Sequence, residues 1–312
     1  MHSIVKAPLA ALALASVSAT AAFAGSHSSL SGELRIISDM SNPAPRAVME
    51  SLAAEFDAMH PDLTVDLTIV EREAWKTQIR NALSADPPDV VNWYAANRMT
   101  PYVDAGLFMD ISDWWAAGDY EGLDSVKGAM TIDGKQWGIP YTYYQWGVYY
   151  REDIFNELGL TEPATWEEEV ANCQAILDSG RKCYTIGTKF LWTAGGWFDY
   201  LNMRINGYQY HVDLMAHRET WNDDRTREVF SVWKDLLPYH QPGALGRTWQ
   251  EAAQTVARGE AGMYLLGMFV GEQFQEVSQE ARDDLDFFAF PEINPEHSQD
   301  SVDAPIDGFM LS

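Results

Sequence analysis

The sequence predicts an α/β protein of two lobes, and three observations carry that prediction. Segments of strand period and helix period alternate from residue 33 onward, which implies a parallel sheet with right-handed crossovers. The 312 residues exceed one average domain, and 46% of them are apolar, enough to fill real cores. Residues 133–153, DGKQWGIPYTYYQWGVYYRED, read as a crossing between two halves. Gly134, Gly138 and Pro140 mark turn and short strand, and Val148-Tyr149-Tyr150 is a β-rich run entering a new segment.

Residues 1–24 stand apart from the fold. Lys6 supplies a positive start, 9–22 is small and apolar, and Ala22-Phe23-Ala24 before Gly25 fits a small-x-small cleavage site. The run is Ala-rich, shorter than a membrane span and without a stop-transfer flank, so a cleaved signal peptide is expected rather than an anchor. No cysteine lies near the cleavage site, which disfavours a lipid anchor; the expected location is the periplasm of a Gram-negative bacterium.

The first lobe is expected over 32–140. Residues 33–38 form a strand ending in Asp39-Met40-Ser41-Asn42-Pro43, a loop of capping and turn residues. A helix over 44–59 carries Val48, Leu52 and Phe56 at i, i+4, i+8, and 63–69 alternates like a strand, completing a βαβ unit. A helix over 73–84 follows, with Trp75, Ile79 and Leu83 on one face; Asp86-Pro87-Pro88 breaks it and 89–91 is a short buried strand. Asn92, Trp93 and Tyr94 come directly after, where ligands sit in open α/β sheets. Helical pieces at 102–107 and 111–116 lead to the crossing, expected near 138–148.

The second lobe is expected over 141–300. A short helix over 151–158 ends at Gly159, and Thr165 caps another whose first turn holds Glu167, Glu168 and Glu169. Successive helix positions face different directions, so these acids read as complements of the helix dipole rather than as a catalytic set. Residues 183–187 are strand-like, 191–196 reads as a turn-rich loop carrying Trp192, and 197–205 as a helix. Val229, Phe230, Trp233 and Leu236 share a helical stripe over 226–237. A helix at 249–258, a buried strand at 261–266 ending in Gly267-Met268-Phe269, and a strand-like run at 285–291 complete the lobe. Residues 301–312 are a second crossing returning to the first lobe.

Cys173 and Cys183 are the two cysteines; they either close a short disulfide loop or remain buried thiols, and no zinc spacing accompanies them. The net charge of −25 is adverse to nucleic acid and anionic membrane, which need clustered Lys and Arg.

Several phrases occur in a telling order: AVMESLAAEFDAMHPDLTVDL, ALSADPPDVVNWYA, VDAGLFMDIS, DGKQWGIPY with GVYYREDIFNELGL, PATWEEEVANC, VFSVWKDLL and WQEAAQTVARGEAGMYLLG. Together, over 33–312, they resemble the extracellular solute-binding proteins of carbohydrate ABC importers, of the maltose-binding-protein type. The resemblance implies a periplasmic-binding-protein-like fold of type II: two α/β lobes joined by a hinge, with a ligand cleft between them and closure on binding. It also implies a monomer that delivers a carbohydrate to membrane permease subunits of an ABC importer, without cofactor, metal or chemistry on the ligand. Relatives continue well past residue 312, so the chain is expected to be C-terminally incomplete. Many also carry Gly-x-Trp where Gly267-Met268-Phe269 stands, which retains a ring but loses its hydrogen-bonding edge.

A sugar offers hydroxyls along its edge and an apolar C–H face, so its site needs aromatic faces and side chains that donate and accept. Trp93, Tyr144, Trp146, Trp192, Trp197 and Phe269 are the rings expected at the cleft. Asp39, Asn42, Asn92, Gln145 and Asp307 are the expected polar contacts, with Gly308 donating through its backbone; Asp39 and Asn42 equally fit a cap or turn pair. Two other function classes share parts of this pattern. A glycoside hydrolase would need an acid–base pair across the scissile bond, and the Gly-x-Ser-x-Gly, His-Glu-x-x-His and phosphate-loop motifs are all absent. A binder of a cation such as a polyamine would need carboxylates converging on the aromatic rings.

Overall fold

The computed structural model describes residues 30–118, 120–297 and 299–312. The expected signal peptide lies outside these residues. The strands are β1 (Gly32–Ser38), β2 (Leu63–Ile69), β3 (Val90–Tyr94), β4 (Thr131–Ile132), β5 (Lys135–Gln136), β6 (Ile139–Tyr143), β7 (Trp146–Arg151), β8 (Lys182–Tyr184), β9 (Ala261–Gly267), β10 (Leu285–Phe288) and β11 (Ile306–Leu311). They form two main sheets, in the orders β2-β1-β3-β11-β6 and β10-β7-β9-β8, and a β4-β5 hairpin. Each sheet is the centre of a lobe with its own core, so the chain has the type II architecture.

In the first lobe β1 pairs in parallel with β2 and β3, while β11 returns antiparallel between β3 and β6. Helix Arg72–Ala85 lays Trp75, Ile79 and Leu83 into the core, as its period predicts, and the Trp75 indole donates to the Asn92 carbonyl at 3.0 Å. Helix Pro43–Met59 corrects the sequence reading: Val48 and Leu52 are 58% and 52% exposed, and Met49 and Ala53 are buried instead. Both pairs are four residues apart, so the spacing alone does not choose between them.

The second lobe has a larger core, built on Val148, Tyr149 and Tyr150 of β7, Met263–Leu266 of β9, and helix Trp192–Asn206. That helix begins at Trp192, where a loop to 196 was expected. Gly195 and Gly196 lie within it, and a further helix, Tyr208–Met215, follows Asn206-Gly207. Thr165 and Glu168 form a reciprocal capping box, and the Tyr184 hydroxyl donates to the buried Glu169, which accounts for the acidic first turn structurally. A disulfide joins Cys173, on helix Trp166–Asp178, to Cys183 on β8, with a Cα separation of 4.9 Å.

Among the described residues, two chain crossings join the lobes. Strand β6 belongs to the first sheet up to Tyr143, so the first crossing is the turn Tyr144-Gln145, three residues beyond the boundary expected after residue 140. The second runs from β10 to β11. The crossings lie side by side: the Trp146 amide donates to the Asp303 carbonyl at 2.8 Å and the Tyr144 amide to the Pro305 carbonyl at 3.4 Å.

Candidate functional site

A cavity of about 1020 Å³ lies between the lobes. Its first-lobe wall is made where strands end and helices start. Asp39 follows β1, Arg72 opens the helix after β2, Tyr94 closes β3, Tyr141 lies on β6 and Asp307 on β11. This is the carboxyl edge of the parallel strands, the usual ligand side of an open α/β sheet. Arg72 ties the wall together, its guanidinium 3.5 Å from Asp39 and 3.7 Å from Asp307. Arg98 covers the Tyr94 ring at 3.9 Å, a cation–π contact.

The second-lobe wall is aromatic. Phe269, just past β9, is ringed by Trp249 at 4.9 Å, Tyr144 at 5.3 Å, Trp192 at 6.1 Å and Trp146 at 6.5 Å between centroids. Trp146 and Trp192 meet edge to face at 5.9 Å. Asp199, from the helix that carries Trp192, and Asp303, from the second crossing, add carboxylates to this side.

The charges are held at a cost that shows in their titration. Burial pushes the Asp307 carboxyl up to about 6, against the pull of Arg72. Burial raises Asp39 too, again opposed by Arg72. For Arg72 burial acts downward, but attraction to Asp39, the Tyr94 hydroxyl and Asp307 leaves the net shift upward. Burial, with the like charge of Asp303, pushes Asp199 to about 7, and burial alone takes Asp303 to about 6. Oδ1 of Asp39, Oδ1 of Asp307 and Nε1 of Trp146 are buried without a protein hydrogen-bond partner. Polar atoms left so inside a fold are expensive unless something else meets them. The arrangement can receive hydroxyls at one wall and an apolar face at the other. Among the described residues there is no group of three or more His, Cys, Asp or Glu side chains suited to a metal ion.

Of the residues singled out in the sequence, Asp39, Asn42, Tyr144, Trp146, Trp192, Phe269 and Asp307 line the cavity together. Asn42 precedes its helix but makes no side-chain cap bond. Five others do not line it. Asn92 and Trp93 lie within β3, which runs three residues further than expected, so both turn into the lobe; the Trp93 indole donates to the Arg98 carbonyl at 2.8 Å. Gln145 is taken up in the first crossing, where its carbonyl accepts from the Met268 amide at 3.2 Å. Trp197 is fully buried against Tyr184, His240 and Phe290. Gly308 sits in the β11 bulge, where a Cβ would come within 2.4 Å of Met130 Cε and 2.9 Å of the Ile139 carbonyl. Its glycine serves strand packing.

Sequence reasoning missed Arg72, Lys76, Arg98, Tyr141, Asp199, Trp249, Glu272 and Asp303, and noted Tyr94 at its strand end without choosing it as a contact. Arg72 and Tyr94 had a signal, since each stands just past or at the carboxyl end of a strand. Asp199 and Asp303 had none, because only the lobe arrangement brings their chain segments to one cleft.

Comparison with known proteins agrees with this geometry. The family model described as bacterial extracellular solute-binding protein matches residues 41–311. The solved structure of the bacterial solute receptor AcbH, described as having an exclusive preference for β-D-galactopyranose, is 34% identical with a TM-score of 0.82, covering 90% of this chain and 71% of that one. An uncharacterized ABC transporter extracellular-binding protein of Pyrococcus horikoshii is 22% identical over 79% of this chain. The mannitol-binding protein of Pseudomonas aeruginosa is 23% identical over 78% of this chain. This chain spans only 57% of the length of each of these two curated relatives.

Proposed function

The chain belongs to the bacterial extracellular solute-binding proteins, and on that premise we propose that it captures a sugar, small oligosaccharide or sugar alcohol in the interlobe cleft and delivers it to the permease of an ABC importer. The observation that carries this reading is the pairing of the aromatic cup around Phe269 with the Asp39–Arg72–Asp307 cluster across one cavity. Rings cover the C–H face of a sugar, while a guanidinium and two carboxylates donate to and accept from neighbouring hydroxyls. Asp39, Tyr144, Trp146, Trp192, Phe269 and Asp307 are the proposed contacts, joined by Arg72, Tyr94, Tyr141 and Trp249. The described sugar preference of the 34% identical receptor puts D-galactose first among candidates.

Closure of the lobes on the solute is a population shift, driven by contacts that exist only when both walls touch it. The chain works outside the cytoplasm, as a periplasmic monomer, and leaves its solute chemically unchanged. A cationic solute is the second reading. Asp199 and Asp303 favour it, because no Lys or Arg forms an ion pair with either among the described residues, and His211, 3.8 Å from Asp199, is held towards its neutral form by burial.

A thermal-shift screen over mono-, di- and trisaccharides, sugar alcohols and polyamines, with product analysis of every hit, tests the reading. Ligand at a hundredfold excess over Kd stabilises by about 2.7 kcal/mol. Stabilisation by a sugar or polyol that is recovered intact supports the proposal. Turnover of the sugar, or stabilisation by polyamines alone, overturns it.

A further inference from the structure

Helix Pro43–Met59 starts in an unusual way. Its N-cap residue Asn42 makes no side-chain cap hydrogen bond, and Pro43 and Pro45 have no amide hydrogen to offer. The Arg46 amide is already used, donating to the Asn42 carbonyl at 3.0 Å. The first turn therefore keeps one free donor, the Ala44 amide. Its partner comes from the other lobe: Glu272 Oε1 accepts from Ala44 N at 2.9 Å, across 228 residues of sequence. A carboxylate facing a helix N-terminus is also favoured by the helix dipole.

We infer that Glu272 is a positioning residue for lobe closure, a cap for the first-lobe helix supplied in trans by the second lobe. The contact exists only when the lobes meet, because Ala44 and Glu272 belong to opposite walls of the cleft mouth. It is tied to the solute cup by a single turn of chain, since the Glu272 amide donates to the carbonyl of Phe269 at 3.2 Å. A ring shifted at Phe269 thus shifts the latch. A second contact spans the same rim, with the Lys76 ammonium 5.5 Å from the Trp192 ring centroid. Lys76 is engaged by Glu73 at 2.8 Å, and Glu272 enters no ion pair among the described residues, so no cation competes with Ala44 for it. The inference rests on hinge closure, which belongs to the fold, and not on the identity of the solute.

Closure is read without any ligand by the distance between two nitroxides, at Ala54→Cys on the first lobe and Glu280→Cys on the second; the native cysteines are bonded to each other and take no label. Wild type is expected to show a short-distance component. Glu272→Ala is expected to lower the closed-to-open ratio by about 2- to 30-fold, the range of a helix cap. Glu272→Gln keeps an acceptor without the charge and is expected to lie between. Ala44→Pro removes the donor from the other side and should match Glu272→Ala, and the double variant should go no further than either single change. Additive effects, distributions that coincide with wild type in both single variants, or a wild type without the short component would overturn the latch. Solute binding, measured separately by calorimetry on the same variants, stands or falls independently of this result.

Discussion

Trp146 packs directly on the backbone of Gly196: a Cβ at Gly196 would stand 2.2 Å from Cζ3 of the indole. The ring that forms part of the cleft wall is thereby seated on the helix that also presents Trp192 and Asp199. Gly196→Ala removes the seat. Overpacking of this kind costs about 1–3 kcal/mol, offset in part by the better helix propensity of alanine, about 1 kcal/mol. The expected outcome is a small fall in Tm with a larger effect on function, about a tenfold loss of solute affinity by calorimetry. Unchanged affinity would separate Trp146 from the site.

Arg72 holds two buried carboxylates on one wall. Arg72→Met leaves Asp39 and Asp307 without their cation, and truncating one partner of a buried charge group costs about 3–5 kcal/mol. Since the Arg72 side chain retains 34% exposure, the lower end of that range is expected. The loss should shrink as pH falls, because both carboxyls are already raised by burial and protonation relieves them. Adding Asp307→Asn to Arg72→Met should recover part of the Tm at pH 7.5.

Asp199 is expected to make stability depend on pH in the opposite sense to a salt-bridged acid. Burial and the like charge of Asp303 lift it to about 7, above an unfolded value of about 4. Its favourable contribution is therefore complete below pH ~4 and is lost as pH rises towards 7. Asp199→Asn should raise Tm by about 2–5 °C at pH 7.5 and by progressively less towards pH 4. Thermal melts across that range check the sign, with His211 as the neighbouring group whose own pKa is lowered by burial.

The Cys173–Cys183 disulfide closes a short loop and is buried on both sides, with exposures of 1% and 0%. Short-loop closure contributes about 2–3 kcal/mol. The double variant Cys173→Ala/Cys183→Ala should melt roughly 4–10 °C lower than the oxidised protein. No thiol should react with Ellman's reagent in the native wild type.

Much of the framework was legible in the sequence because it is local. The Trp75, Ile79 and Leu83 stripe and the Thr165 cap depend on residues within a turn or two, and both stand as expected. The inward face of helix Pro43–Met59 was misread, because Val48/Leu52 and Met49/Ala53 satisfy the same spacing and only the packing partner distinguishes them. Gly195-Gly196 looked like a turn for a related reason. What a missing Cβ makes room for, here the Trp146 ring, is a tertiary fact. Half of the site followed the same rule: rings near strand ends could be nominated, but a strand that ends three residues later than expected took Asn92 and Trp93 inside. Arg72 and Asp199 come from segments with no sequence link to each other, and only closure of two lobes makes them neighbours of one cavity.

Titration calorimetry of the protein against D-galactose, D-mannitol and spermidine, run beside the Trp146→Ala/Asp307→Asn variant, tests the central claim most directly. The expected result is saturable one-to-one binding of the sugar or the sugar alcohol, weakened at least about a hundredfold in the variant while its melting curve stays cooperative. Binding of spermidine with neither sugar nor sugar alcohol bound, or sugar binding that the variant leaves intact, would contradict it.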